Sequence, residues 1–471
     1  MNNKPQEASD KESFRDHLST LDEQGKRRWI YPKKPSGFYT KWRYRVNFFL
    51  LAFLFAGPFI RIGGEPLLML NVIERKFVLF GKIFWPQDFF ILVIVVLSFL
   101  VFIILFTVVY GRIFCGWICP QTIFMEGVFR RIEYWIEGDW KQQMQLNKAP
   151  MSREKLLKKG SKHILFFAIS FTIANTFLAY IIGSRELIDI ISSPPSEHLA
   201  GLAAITVFSA VFYGVFAFFR EQVCTNVCPY GRLQGVLLDR QSVVVAYDRV
   251  RGEPRGKFRK NEDRTEVGKG DCIDCMQCVH VCPTGIDIRN GTQLECVNCT
   301  ACIDACDHMM EAVNLPKGLI RYTSEEQIES RKPFKFSMRA KAYSILLIAL
   351  VSVSAILIAT RGEIELNVLR TPGVRYQIQD DGKISNLYNY KLINKSNRAL
   401  VLQLQSPDES IEVKMVGGQP SVEANTLAQG AFFLAAPPEM FDLGRAKAEI
   451  IVVDEDGRRL DRVKVKISGP L

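Results

Sequence analysis

Five apolar stretches constrain this chain more than anything else in it: Val46–Ile60, Phe89–Tyr110, Ile164–Ile182, Leu199–Phe219 and Ala342–Thr360. The last four carry no charged residue. Each has about the 20 residues that a helix needs to cross a hydrocarbon core. The first is shorter, contains Asn47 and Pro58 and runs on toward Ile62, and it is read as a fifth crossing. The formal net charge is +11, with 60 Lys+Arg against 49 Asp+Glu. That charge is not spread as a nucleic-acid binder would spread it, and no nucleic-acid partner is expected. Eleven Lys and Arg fall in residues 1–45 and ten in 111–162, but only four in 61–87 and one in 183–198. Cytoplasmic loops hold the Lys/Arg excess. The N-terminus is therefore expected inside, the 220–341 loop inside, and the chain after Thr360 outside. Anionic lipid headgroups suffice as the partner of these charges.

The twelve cysteines lie in four short motifs with none left over. Cys272, Cys275, Cys278 and Cys282 form C-x2-C-x2-C-x3-C-P, and Cys296, Cys299, Cys302 and Cys306 repeat the spacing 24 residues later. This is the ligand pattern of a two-cluster ferredoxin, in which the fourth cysteine of each run ligates the other cluster. Cys272, Cys275, Cys278 and Cys306 are thus expected to hold one 4Fe–4S cluster, and Cys282, Cys296, Cys299 and Cys302 a second. Asp307 stands where the second run lacks its proline. Structural zinc is the rival, but its sites show paired C-x2-C units rather than runs of four. Every cysteine lies on the side expected to be reducing, so a disulfide framework is not expected. His280 and His308 lie two residues from ligands. Asp271, Asp274 and Asp304 are read as solvated loop residues.

The other four cysteines form two C-x3-C-P pairs, Cys115/Cys119 and Cys224/Cys228, each just after a long apolar stretch. Cysteines at i and i+4 share a helical face. The following proline disfavours helix at the second cysteine, so each pair should close a helix end. Gly127-Val128 and Gly235-Val236 follow the pairs, which marks two halves of a degenerate repeat. If the halves pack together, four sulfurs converge. Such a site suits Cu(I), a further iron–sulfur cluster or a redox-active dithiol, and the sequence does not choose among them. Glu126 and Glu133 follow the first pair at helical spacing and read as interfacial salt-bridge residues.

Five segments follow. Residues 1–45 form a basic cytoplasmic tail, with 1–30 loosely attached and no apolar core of a signal peptide. Residues 46–219 form a four-helix membrane core. Residues 220–341 form a cytoplasmic loop with a ferredoxin domain, core 268–312, in which Arg249–Lys269 is a flexible surface segment. Residues 342–360 are the fifth crossing, and 361–471 an exported β domain. In that last part period-2 runs appear at Arg375–Gln379, Asn389–Asn394, Ala399–Gln405, Glu412–Val416, Gly430–Ala435, Ala448–Val453 and Arg462–Ile467. About seven short strands in this length suggest a β-sandwich. The fold class expected is a polytopic α-helical membrane protein with about five spans, a cytoplasmic ferredoxin-like domain and a C-terminal β-sandwich.

Several stretches together carry a family resemblance. They are Phe84-Trp85-Pro86-Gln87-Asp88-Phe89, Cys115 through Gln121-Thr122, Arg220-Glu221-Gln222-Val223-Cys224, Arg251-Gly252-Glu253-Pro254-Arg255-Gly256 and Cys282-Pro-Thr-Gly-Ile-Asp-Ile-Arg289. Over roughly residues 30–471 the chain resembles the cytochrome c oxidase accessory proteins of the FixG, RdxA and CcoG type. The resemblance implies a multi-pass bacterial inner-membrane protein with two 4Fe–4S clusters and an immunoglobulin-like exported domain. It further implies reduction of Cu(II) to Cu(I) for assembly of a cbb3-type oxidase, with assembly factors or a copper chaperone as partners. Cys115, Cys119, Cys224 and Cys228 are the residues expected to face copper or to act as a dithiol. The electron donor is left open. A generic electron conduit and a non-catalytic assembly scaffold are the alternatives.

Overall fold

The computed structural model of the protein describes residues 20, 24, 26–62, 64–72, 76–79, 81–84, 89–260, 262–264, 266–333, 335–360, 362–373, 375–396, 398–424 and 426–470. The motif residues Trp85 to Asp88 lie outside the described residues, as does most of the N-terminal 25. The described chain forms two compact units. One draws on Met1–Phe59 and Ile94–Val351, the other on Ile60–Val93 and Ser352–Leu471.

The first unit is built on long helices. Among the described residues four helices are long and apolar enough to cross a membrane: Phe90–Tyr110, Arg153–Ile182, Pro195–Phe219 and Met338–Ala359. They contain the helices α2 (Phe89–Tyr110), α3 (Arg153–Ile182), α4 (Leu199–Gly214) and α6 (Met338–Ala359). Helix α1, Phe38–Ala56, corrects the bounds of the first of the five expected spans. It starts eight residues before the apolar stretch and takes in Lys41, Arg43 and Arg45, so it does not match the other four in composition. The reason is packing: its first turns serve the cysteine-bearing domain, as described below. Exposed apolar side chains such as Phe48, Phe99 and Ile348 cover these helices, as lipid-facing surfaces do. Inside, Phe129 stacks on Phe216 with centroids 4.7 Å apart, and Phe166 meets Phe129 edge-on at 4.8 Å.

The cysteine runs lie in the chain between two antiparallel-paired strands, Val244–Tyr247 and Ile320–Thr323, and the second run enters helix α5, Ala301–Ala312. Two expectations fail here. Arg249–Lys269 is not loose: Arg264, 8% exposed, donates to the carbonyls of Gly256, Gly270 and Cys272 and locks the segment onto the first cysteine run. Nor are the described residues between Lys26 and Arg45 loosely attached. The Lys33 amide bonds the His280 carbonyl at 2.7 Å, and the guanidinium of Arg220 lies 4.7 Å from the Trp29 ring centroid.

The second unit holds the β-sandwich. Label its strands β1 (Ile364–Arg370), β2 (Ile384–Asn394), β3 (Gln403–Gln405), β4 (Glu412–Val416), β5 (Leu427–Ala436), β6 (Arg445–Val453) and β7 (Arg459–Ser468). One sheet runs β4-β5-β2-β1 and the other β3-β6-β7, with antiparallel neighbours throughout. Alternation puts Leu392, Phe432, Leu434, Ile450, Val452 and Ile467 in a shared core. Tyr388 on β2 crosses it to donate to the Lys466 carbonyl at 2.7 Å. All seven expected strand regions contain strand, although Arg375–Gln379 holds only the two-residue strand Gln377–Ile378, which pairs with the start of β2. Strand β1 has no counterpart among them.

Candidate metal centre

The two cysteine runs adopt the same unusual backbone. Asp274 and Met276 have φ of 53° and 59°, and Asn298 and Thr300 have 52° and 65°. These left-handed residues stand two and four places after Cys272 and after Cys296 respectively. A left-handed non-glycine residue costs roughly 1–2 kcal/mol, so four at matching offsets are strain stored for a purpose. They curl each C-x2-C-x2-C segment so that its thiols point to one hollow. The missing proline has a visible effect. With Asp307 in its place, α5 runs on past Cys306 to Ala312, and Asp307 accepts from the Gly318 amide at 2.8 Å.

Two adjoining hollows result. One, of about 330 Å³, is lined by Cys272, Cys275, Cys278 and Cys306 with Tyr247, Met276 and Arg289 among its other walls. The other, of about 340 Å³, is lined by Cys282, Cys296, Cys299 and Cys302, and Cys278 borders it too. The crossed sets expected from spacing are thus the sets that share walls. Among the described residues no three Cys, His, Asp or Glu side chains stand close enough to share one ion. Tetrahedral zinc, with Zn–S near 2.3 Å, would gather four sulfurs to a point. Thiols ringing a hollow fit a polynuclear cluster instead. Burial, with repulsion from neighbouring thiolates, pushes the Cys278 and Cys296 thiols up to about 12. Thiolates here require a cationic partner, which iron supplies.

The C-x3-C-P pairs close helix ends as expected. Cys119 and Cys228 have ψ of 126° and 114° and are the N-caps of helices that begin at Pro120 and Pro229. The two halves do come together: Cys224 lies within electrostatic reach of Cys119, Cys115 and Cys228. No three of the four stand close enough to share one ion, which leaves two-thiolate coordination, sufficient for Cu(I), as the way a single ion would be held. Burial raises the Cys115 thiol to about 11, and the Gln234 amide donates to its sulfur at 3.2 Å. This group sits against the second hollow. Cys115 packs against the cluster of Val281, Val297, Cys299 and Ala301, as does Cys302. A methyl on Gly116 would lie 2.5 Å from the Val297 carbonyl, so only glycine permits the approach.

Charged residues hold this contact, and most escaped the sequence reading. Asp304, taken for a solvated residue, is 6% exposed. It accepts from the Tyr39 amide (3.0 Å), the Thr40 amide (2.7 Å) and the Thr40 hydroxyl (2.6 Å), thereby capping α1 from another element. Arg43 on α1 donates to the Cys299 carbonyl at 2.7 Å. Arg112, just beyond α2, donates to the carbonyls of Leu294 and Gly231. Asp271 and Asp274 are paired with Arg251 and Arg289. Beneath lies a buried ion network: Arg130 with Glu126 and Glu221, and Glu133 with Arg220 and Lys162. It includes Glu126 and Glu133, the two glutamates expected to form salt bridges. Three π-helical segments, Ile123–Phe129, Val215–Phe219 and Val223–Val227, surround it, and such segments cluster at functional sites. His280 stacks on Trp140 with centroids 5.0 Å apart.

Helices fit for a bilayer joined to a doubled cysteine domain and a β-sandwich define a membrane iron–sulfur protein. The family described as "4Fe-4S dicluster domain" matches residues 219–325, and "4Fe-4S binding domain" matches 92–141. The "IG-like fold at C-terminal of FixG" matches 354–470. Protein RdxB of Cereibacter sphaeroides is 32% identical over 430 residues, covering 87% of this chain and 89% of that protein. Protein RdxA of the same organism is 33% identical over 384 residues, covering 78% and 80%. The nitrogen fixation protein FixG of Rhizobium meliloti is 30% identical over 447 residues, covering 86% and 84%. The chain belongs to the FixG/RdxA family.

Proposed function

We propose that this protein carries electrons one at a time through two 4Fe–4S sites to the paired cysteines, where Cu(II) is reduced to Cu(I) for assembly of a cbb3-type oxidase. The carrying observation is the sorting of eight thiols into two adjoining hollows, with Cys115 packed on the wall of the second. Bound there, the clusters supply one-electron chemistry at low potential. Cys272, Cys275, Cys278 and Cys306 hold the first and Cys282, Cys296, Cys299 and Cys302 the second, with Cys278 between them. Cys115, Cys119, Cys224 and Cys228 receive the ion. Soft thiolates favour Cu(I) over Cu(II), so the residues that meet the substrate also stabilise its reduced form. Each electron from a one-electron donor reduces one Cu(II). An assembly factor or copper chaperone then takes the product.

The N-terminus and cysteine runs are assigned to the cytoplasmic side of the inner membrane and the sandwich to the outer side. Parity supports this. Arg43 and Arg112 both bond the same cysteine domain. The chain between them contains the span Phe90–Tyr110, which supports reading α1 as a crossing as well.

The test is anaerobic reduction of Cu(II) by purified, pre-reduced protein. A rate no higher than that of cluster-free protein ends the copper reading. A second reading has one observation of its own: the 4Fe-4S binding match over 92–141 contains Cys115 and Cys119. The paired cysteines would then hold iron and sulfide. Metal and sulfide analysis separates the two, since two cubane clusters account for eight irons per chain and a larger count favours the second.

A further inference from the structure

The two cysteine hollows lie in different fixed electrostatic fields. Beside the second, Arg43 and Arg112 are 2% and 5% exposed, and both spend their hydrogen bonds on main-chain carbonyls: Cys299, Leu294 and Gly231. A guanidinium bonded to carbonyls keeps its full charge. Arg112 is also within electrostatic reach of Cys296 and Cys115. Beside the first, Arg264, 8% exposed, also donates to main-chain carbonyls, those of Gly256, Gly270 and Cys272, but Arg289, 9% exposed, gives its nitrogens to two carboxylates, Asp287 at 2.8 and 2.6 Å and Asp274 at 2.6 Å. Asp307 adds a further negative charge near Cys306.

Acidic groups near the second hollow do not cancel the contrast. Glu126 is 3.9 Å from Arg43 but is held at 2.6 Å by Arg130. Glu295 is near Arg112 but half-exposed, where water screens it. Asp304 lies on α5 between ligands of both sets, and three donors from α1 compensate it. The second set also has main-chain donors on sulfur: the amides of Thr284 and Ile286 bond Cys282, and that of Asn298 bonds Cys296.

We propose that Arg43 and Arg112 are positioning residues that raise the reduction potential of the second site above that of the first, so that electrons enter at Cys272–Cys278 and leave by Cys296 toward Cys115. Reduction adds one negative charge to a cluster. A nearby buried cation stabilises that state, and hydrogen bonds to sulfur act in the same direction. One electron leaves the first site as one arrives at the second, and no proton or ligand changes place. The inference rests on the two-cluster reading given above.

The experiment is an EPR-monitored redox titration of the full-length protein in detergent, with iron content measured on the same samples. Cys272→Ser and Cys282→Ser assign the two signals. The second site should reduce first. Arg112→Met and Arg43→Met should lower the midpoint of the second site and leave the first unmoved, and Arg112→Lys should restore most of the shift. Equal midpoints in the unsubstituted protein, or a first site that reduces first, overturn the proposal. So does an Arg112→Met protein with full iron whose two midpoints move together or not at all. Should Arg43→Met fail to retain iron, the order of reduction in the unsubstituted protein still decides. Unsubstituted protein without iron would instead overturn the two-cluster reading, so the two failures are distinct.

Discussion

Asp304 offers the sharpest test of how the membrane part grips the cysteine domain. Its carboxylate takes three donors from the first turn of α1: the Tyr39 amide, the Thr40 amide and the Thr40 hydroxyl, at 2.6–3.0 Å. The site is closed to water, with Thr40 3% and Asp304 6% exposed. Gly37 makes room for it, since a methyl there would lie 2.3 Å from the Asp304 carboxyl carbon. A hydrogen bond to a charged group contributes about 1.5–3 kcal/mol, and a buried donor left bare costs about 1–3 kcal/mol. Such bonds do not add fully, so Asp304→Ala should cost about 3–5 kcal/mol, in line with breaking a buried ion pair. Thr40→Val, which removes only the hydroxyl, should cost about 1–2 kcal/mol. The readout is hydrogen exchange at the Tyr39 and Thr40 amides, followed by mass spectrometry on the full chain. If these amides exchange by local opening, a loss of about 3 kcal/mol speeds exchange by roughly 100-fold. In a double-mutant cycle the two substitutions should couple. If Asp304→Ala leaves exchange within a few-fold of the native protein, the carboxylate is not what holds α1.

Further outcomes follow from the same geometry. Cys306→Ser should disturb the EPR signal assigned to Cys272–Cys278 and spare the other, although Cys306 is nearer in sequence to Cys302; loss of the second signal alone would refute crossed ligation. Burial alone would raise the Glu133 carboxyl, but Arg220, Lys162 and Arg130 hold it below the ordinary carboxylate range, so this group contributes stability above about pH 4.3 and loses it as pH falls further. Arg220→Gln should cost about 3–5 kcal/mol at neutral pH, with a deficit that shrinks on acidification below about pH 4.3, as thermal-shift curves at pH 3–7 would show; a deficit independent of pH counts against the pairing. Gly116→Ala places a methyl 2.5 Å from the Val297 carbonyl, an overpacking of about 1–3 kcal/mol; it should speed alkylation of Cys115 while iron content holds, and unchanged alkylation would contradict the close approach.

The cysteines were legible because ligand spacing is a local property of the chain. So were α2, α3, α4, α6 and the alternating strands, where one apolar period runs without interruption. What lay hidden is non-local. Arg43 and Arg112 look like the flanking basic residues of any inner-leaflet helix, and nothing in their neighbourhood announces a carbonyl 256 or 182 residues away. Asp304 sits among ligands in a sequence rich in turn formers, and only α1 arriving from the far end of the chain makes it a cap. The error over α1 has the same root. A hydropathy window begins where charge ends, but Lys41, Arg43 and Arg45 extend the helix because Asp304 and Cys299 receive its first turns. Strand β1 was missed since it follows α6 closely and its alternation is short.

The buried ions answer a problem that apolar packing cannot. Between helices in lipid, a Leu or Phe contact has little advantage over the same side chain in an acyl chain, so apolar faces specify register weakly. Yet the second cysteine hollow must meet Cys115 in one position only. Arg130, Arg220 and Lys162 against Glu126, Glu133 and Glu221 have few satisfactory arrangements, and a slip by one residue would strand a charge away from water. Buried pairs of this kind are poor sources of net stability but can fix a unique register. The three π-helical segments fit that role, because an extra residue per turn shifts side chains onto faces an α-helix would not offer. It follows that replacing Arg220 and Glu133 together by apolar residues of similar volume should harm stability less than either single change. What the double variant should lose is the fixed contact between Cys115 and the second hollow, and retention of both the contact and the stability would show that the ions do not set the register.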